Sequence, residues 1–124
     1  MNNIKFAGIP YLHLDIYQGY DHVFNIQIED DDTKEIIRYI EGTITCKVRR
    51  NSPQGGVVLS FMPVFNTDTN CIDLLINSED TSSVMFSYDN IQEETFYYDV
   101  RLVHNEKDEV ICYGDMTIKA GVSL

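Results

Sequence analysis

Hydrophobic and polar residues alternate most regularly between Thr95 and Lys119. Phe96, Tyr98, Val100 and Leu102 fall on one side of an extended chain, and Tyr97, Asp99, Arg101 and Val103 on the other. After the polar break Asn105–Asp108, the residues Val110, Cys112, Met116 and Ile118 resume one face, with Glu109, Tyr113, Asp115, Thr117 and Lys119 opposite. Side chains alternate across a strand, so two such runs around a short polar break predict a half-buried hairpin. Parity constrains its turn. Placing even-numbered residues opposite even-numbered ones needs an odd loop or a bulge, because a clean two-residue turn sets Leu102 against polar-face positions. Gly114 interrupts the second run, which signals a bulge or the close approach of another backbone.

The rest of the chain carries the same two-residue period. Leu12, Leu14 and Ile16 alternate with His13 and Asp15 up to Gln18-Gly19. Phe24, Ile26 and Ile28 form the next inward row, and Ile44, Cys46 and Val48 another. NSPQGG (51–56) is a loop, and Val57–Phe61 reads as a strand that Pro63 places at a sheet edge. Ile72, Leu74 and Ile76 point inward from the strand that follows. Ser78–Val84 opens with helix-capping and acidic residues and predicts one short helical turn. Seven or eight strands with frequent turn signals predict an all-β antiparallel β-sandwich of immunoglobulin-like type. The domain is expected over 12–124, after an arm over 1–11 whose Ile4, Phe6 and Ile9 lie outside the alternating pattern, among Gly8 and Pro10. Those three side chains are candidate contacts with a neighbouring protein.

Composition narrows the function. With 124 residues the chain makes one domain. A net charge of −11 argues against nucleic acid, since an acidic surface repels phosphate. Lys47, Arg49 and Arg50 are the basic cluster, and Lys47 and Arg49 share an exposed strand face. Three widely spaced cysteines, Cys46, Cys71 and Cys112, lack the spacing of a zinc site and are expected to be reduced thiols. The start of the chain does not read as a signal peptide, and no apolar run spans a bilayer.

No residue pattern points to catalysis, a cofactor or a resident metal: nucleophile-elbow, phosphate-loop and zinc-protease signatures are missing. Asp30–Asp32 is a hairpin tip without the ligand spacing of a calcium loop. His13 and Asp15 share a strand face and are placed to pair, while His22 and His104 read as ordinary surface residues. Eight tyrosines occur without tryptophan, and Tyr97 and Tyr113 sit outward on the main hairpin as candidate interface residues.

The residue order Ile16-Tyr17-Gln18-Gly19, Ile40-Glu41-Gly42-Thr43 before a strand ending Val48-Arg49-Arg50, Ser78-Glu79-Asp80-Thr81 before Tyr98-Asp99-Val100, and Gly114 before a β-run ending Gly121-Val122-Ser123 resembles the small immunoglobulin-like virion proteins of tailed bacteriophages. It is similar to the N-terminal domain of the phage baseplate upper protein family over roughly 12–123. The resemblance implies a non-enzymatic structural protein of tail, baseplate or neck, folded in the host cytoplasm and assembled with other virion proteins as a homo-oligomer in a symmetric ring. Because the sequence stops at Leu124, docking or cementing is expected rather than receptor binding. The alternative is a free-standing glycan- or calcium-dependent adhesion module.

Overall fold

The structure, a computed structural model, describes residues 11–29, 33–35, 41–82, 84 and 92–120. In chain order the elements are β1 (Tyr11–Tyr17), β2 (His22–Ile26), β3 (Thr43–Arg49), β4 (Val57–Phe61), β5 (Val64–Asn66), β6 (Cys71–Ile76), α1 (Ser78–Ser82), β7 (Glu93–His104) and β8 (Lys107–Lys119). They form two stacked sheets, one ordered β1-β8-β7-β3-β4 and the other β2-β6-β5. This is the expected all-β sandwich. β4 lies at an edge, as Pro63 implied.

The inward rows read from the sequence make a single core. Ile16, Cys46, Val48, Phe96, Val100, Met116 and Ile118 from the larger sheet meet Ile26, Ile72, Leu74 and Ile76 from the smaller. All but Ile26 are wholly inaccessible to solvent. Cys46 and Cys112 sit within this core, and Cys71 is buried as well; all three thiols are free.

The parity of the main hairpin is resolved by a bulge. Asn105 and Glu106 form a two-residue turn with φ of 49° and 65°, the left-handed pair that matches the twist of the flanking strands. From this turn Leu102 faces Glu109 and Arg101 faces Val110, even against odd. The register then slips, Val100 faces Cys112, and even faces even from there to Glu94 and Ile118. Ile111 is the extra residue, and it is fully buried. Val110, expected inward, therefore lies on the outer face with Arg101, because a bulge shifts the alternation by one. Leu102 is left only partly buried for the same reason.

The pairing of β1 with β8 is parallel, a departure from the wholly antiparallel sandwich expected. Gly114 marks this junction and not the bulge: a Cβ there would stand 1.9 Å from the Leu12 carbonyl oxygen. β1 begins at Tyr11, one residue before the expected boundary of the arm. The helix ends at Ser82, short of Val84, after one turn closed by reciprocal bonds: the Asp80 N–H donates to the Asn77 carbonyl at 3.0 Å and the Asn77 N–H to Asp80 Oδ2 at 3.3 Å. Gln18 Nε2 ties this turn to the end of β1 by donating to the carbonyls of Thr81 (3.0 Å) and Val84 (2.8 Å). Ile4, Phe6 and Ile9, the Asp30–Asp32 tip and the Ile36–Ile40 run lie outside the described residues. Among the described residues no helix is long and apolar enough to cross a membrane.

Candidate interaction surface

The outward residues of β1, β8, β7 and β3 share the outer face of the five-stranded sheet. The register sets Tyr97 against Asp115 and Asp99 against Tyr113, so the two hairpin tyrosines are diagonal neighbours rather than a direct pair. Tyr113 instead meets Tyr11, its parallel partner on β1, edge to face with ring centroids 5.2 Å apart. Both remain open to solvent, Tyr11 at 57% and Tyr113 at 42%. Tyr11 escapes sequence reasoning because it fell in the arm expected over 1–11, and only the parallel register brings it to Tyr113.

These rings border a groove of about 350 Å³ that is also lined by Tyr97, Val110, Pro53, Arg49, Asp99 and Arg101. Arg101 Nε donates to Asp99 Oδ2 at 3.0 Å and Nη1 to Asp108 Oδ2 at 3.4 Å, an arrangement that raises the guanidinium's pKa, chiefly through the Asp99 bond. The other Asp99 oxygen, Oδ1, is buried without a hydrogen-bond partner. Arg49 stands opposite Tyr97 on β3, and its Nη1 donates to the Gly55 carbonyl at 3.0 Å. The basic cluster thus splits. Lys47 is exposed opposite Asp99, Arg49 enters the groove, and Arg50 turns to Glu94 at 3.6 Å with its guanidinium 5.2 Å from the Phe96 ring.

At the β1–β8 end of this face, His13 lies between two carboxylates. Nε2 is 3.0 Å from Asp15 Oδ1, the pairing expected, and Nδ1 is 3.1 Å from Asp115 Oδ1, which sequence order alone does not bring near. These bonds, Asp115 first, raise the His13 pKa above its ordinary value. Burial pushes the Asp115 carboxyl up, but the bonds from His13 and Tyr11 outweigh it and hold that carboxyl below its usual range. Partial desolvation and the same Asp115 raise the Tyr11 phenol. The two carboxylates bind opposite nitrogens of one ring, so they do not converge on a shared ion. Among the described residues no group of three or more His, Cys, Asp or Glu is arranged to hold a metal.

The remaining histidines are local. His22 stacks on Phe24 at 6.1 Å and on Tyr17 at 6.4 Å and accepts the Tyr17 N–H at 3.0 Å, whereas His104 lies 3.7 Å from Glu41. Comparison with protein-family models, with curated proteins and with solved structures found no match to this chain.

Proposed function

We propose that the chain is an immunoglobulin-like structural module of a tailed-phage virion, which docks or cements other virion proteins through the outer face of its five-stranded sheet. The observation that carries this reading is the exposed tyrosine ledge of Tyr11 and Tyr113, continued by Tyr97. Rigid amphipathic rings held on a sheet supply contact area at small entropic cost, and interface cores are enriched in tyrosine for that reason. The strand order supports the immunoglobulin-like class: the hairpin strands lie beside β3 and β4 in one sheet, and β2, β6 and β5 make the other. The phage setting and assembly in a symmetric ring rest on the residue order that resembles the baseplate upper protein family. Mass spectrometry of purified virions tests the setting. Incorporation of a Tyr11→Ala/Tyr113→Ala variant with wild-type melting tests the face: lost incorporation supports the reading, and normal incorporation removes the ledge from it.

The same rings favour a second reading, a glycan-binding adhesion module, since aromatic faces stack on sugar rings. Saturable binding on a glycan array, with no chain detected in virions, selects it. Calcium dependence would fall to Asp30–Asp32, outside the described residues.

A further inference from the structure

The charges lining the groove are unequally satisfied. Asp99 is paired with Arg101 through Oδ2 alone, its Oδ1 having no partner, and Arg101 is held by Asp99 and Asp108 together. Arg49, half-buried beside Tyr97, gives one N–H to a neutral carbonyl, and no carboxylate lies within ion-pair distance of it among the described residues. A guanidinium has five N–H donors in a planar fork, so most of the recognition capacity of Arg49 is unspent. Lys47, two residues back on the same face, adds a second cation without an ion-pair partner among the described residues. Among the charged side chains that line the groove, Arg49 and Arg101 thus stand against Asp99 alone, and Arg49 is partly withdrawn from water.

We propose that this groove binds a carboxylate side chain, with Arg49 as its anchor, presented on an acidic segment of a partner protein. The proposal rests on the docking reading above and names the chemistry that face recognises. A carboxylate matches the guanidinium fork in two parallel hydrogen bonds, a geometry lysine does not offer. Tyr97, Val110 and Pro53 flank the anchor with apolar surface, which strengthens the charge pairing and suits a peptide's neighbouring side chains better than the hydroxyl-covered faces of a sugar. The many carboxylates elsewhere on the chain do not forbid an acidic ligand. At physiological salt, charges further away than about 8 Å are largely screened, so the local cations govern.

The test is a titration of the full isotope-labelled chain, followed by amide chemical shifts, with three probes. These are the blocked tetrapeptide acetyl-Ala-Glu-Leu-Ala-amide, its Gln counterpart, and N-acetylneuraminic acid. The Glu peptide is expected to shift the amides of Arg49, Tyr97 and Tyr113 saturably, and the Gln peptide to bind about tenfold more weakly or worse. Arg49→Gln should abolish the shifts and Arg49→Lys restore them in part. Because Arg49 also holds Gly55, Val110→Glu serves as an independent variant: it leaves that bond alone, places a carboxylate inside the groove and should block the peptide. Equal binding of the Glu and Gln peptides, or no saturable shift in the groove, overturns the proposal. Tighter binding of N-acetylneuraminic acid than of the Glu peptide overturns the protein partner. A null titration with the chain present in virions rejects the groove alone, whereas peptide binding with the chain absent from virions rejects the phage setting alone.

Discussion

The hydroxyl of Tyr98 donates a 2.9 Å hydrogen bond to the carbonyl of Leu12, across a strand that belongs to neither residue. Gly114 on β8 makes the span possible, since it pairs with Tyr98 on one side and with Leu12 on the other. An aromatic residue paired with a glycine across strands is one way of stabilising that glycine in a sheet. Burial pushes the Tyr98 phenol far up, so it stays a protonated donor at every ordinary pH.

Two substitutions separate the parts of this junction. Tyr98→Phe keeps the ring and loses the bond to Leu12 with the weaker contact to Cys112 Sγ at 4.0 Å, and should cost about 1 kcal/mol in chemical denaturation. Gly114→Ala drives a methyl into the Leu12 carbonyl at 1.9 Å and should cost about 3 kcal/mol or more. Amide exchange should then show β1 unprotected while the β7–β8 turn keeps its protection. Equal protection in both regions would mean that the sheet yields elsewhere.

The bulge predicts opposite behaviour for two adjacent apolar residues. Ile111→Ala opens a hole in the core and should cost about 2–5 kcal/mol, read from the denaturation midpoint. Val110→Asp changes the outer face and should stay within about 1 kcal/mol of wild type. The reverse order of severity would place Val110 inward and remove the bulge.

Inner faces of the sandwich are legible in the sequence because burial of one face imposes a period of two, and Phe96, Val100, Ile72, Leu74 and Ile76 obey it. The slip at Ile111 is legible only as a need, since parity demands an irregularity without saying where it falls. Parallel pairing of β1 with β8 leaves one local mark, Gly114, which signals a close backbone without saying which strand supplies it or in which direction. Tyr11 beside Tyr113 and His13 beside Asp115 follow from that pairing, which joins the two ends of the domain. The candidate outer face was therefore half readable: Tyr97 and Tyr113 from the hairpin and Arg49 on an exposed strand face, but not that Tyr11 and Arg49 lie beside those tyrosines.

His13 makes the β1–β8 junction sensitive to pH. Its folded pKa lies above the unfolded value of 6.5, so its contribution is whole below 6.5 and is lost as pH rises through the folded value. Asp115 works in the other direction. Its folded pKa lies below 3.8, so its contribution is whole above 3.8 and is lost as pH falls through the folded value. The junction is complete between these limits. Melting temperature should fall from about pH 6 to about pH 8.5 in the wild type, and His13→Asn should flatten that slope. A slope unchanged by the substitution would assign the dependence to other groups.

The thiols should be inert until the fold opens. Burial pushes Cys46 up to about 12 and raises Cys112 as well, while the Sγ of Cys71 is buried and donates to the Thr69 carbonyl at 3.4 Å. Alkylation of native protein at about pH 8 should leave all three sulfurs unmodified, and alkylation in denaturant without reductant should modify all three. A mass showing two protected sulfurs under denaturing conditions would establish a disulfide.

Of the described strands, the one made first is finished last. β1 leaves the ribosome about a hundred residues before β8, its only neighbour in the sheet among the described residues. At about 5–20 residues per second, β1 waits roughly 5–20 s with both edges bare. During that interval Leu14 and Ile16 have nowhere to bury, and a bare strand edge pairs readily with another chain. Polypeptides crowded on one message would thus be exposed to swapping β1 between copies, and a stall before Lys107 would leave every copy in that state.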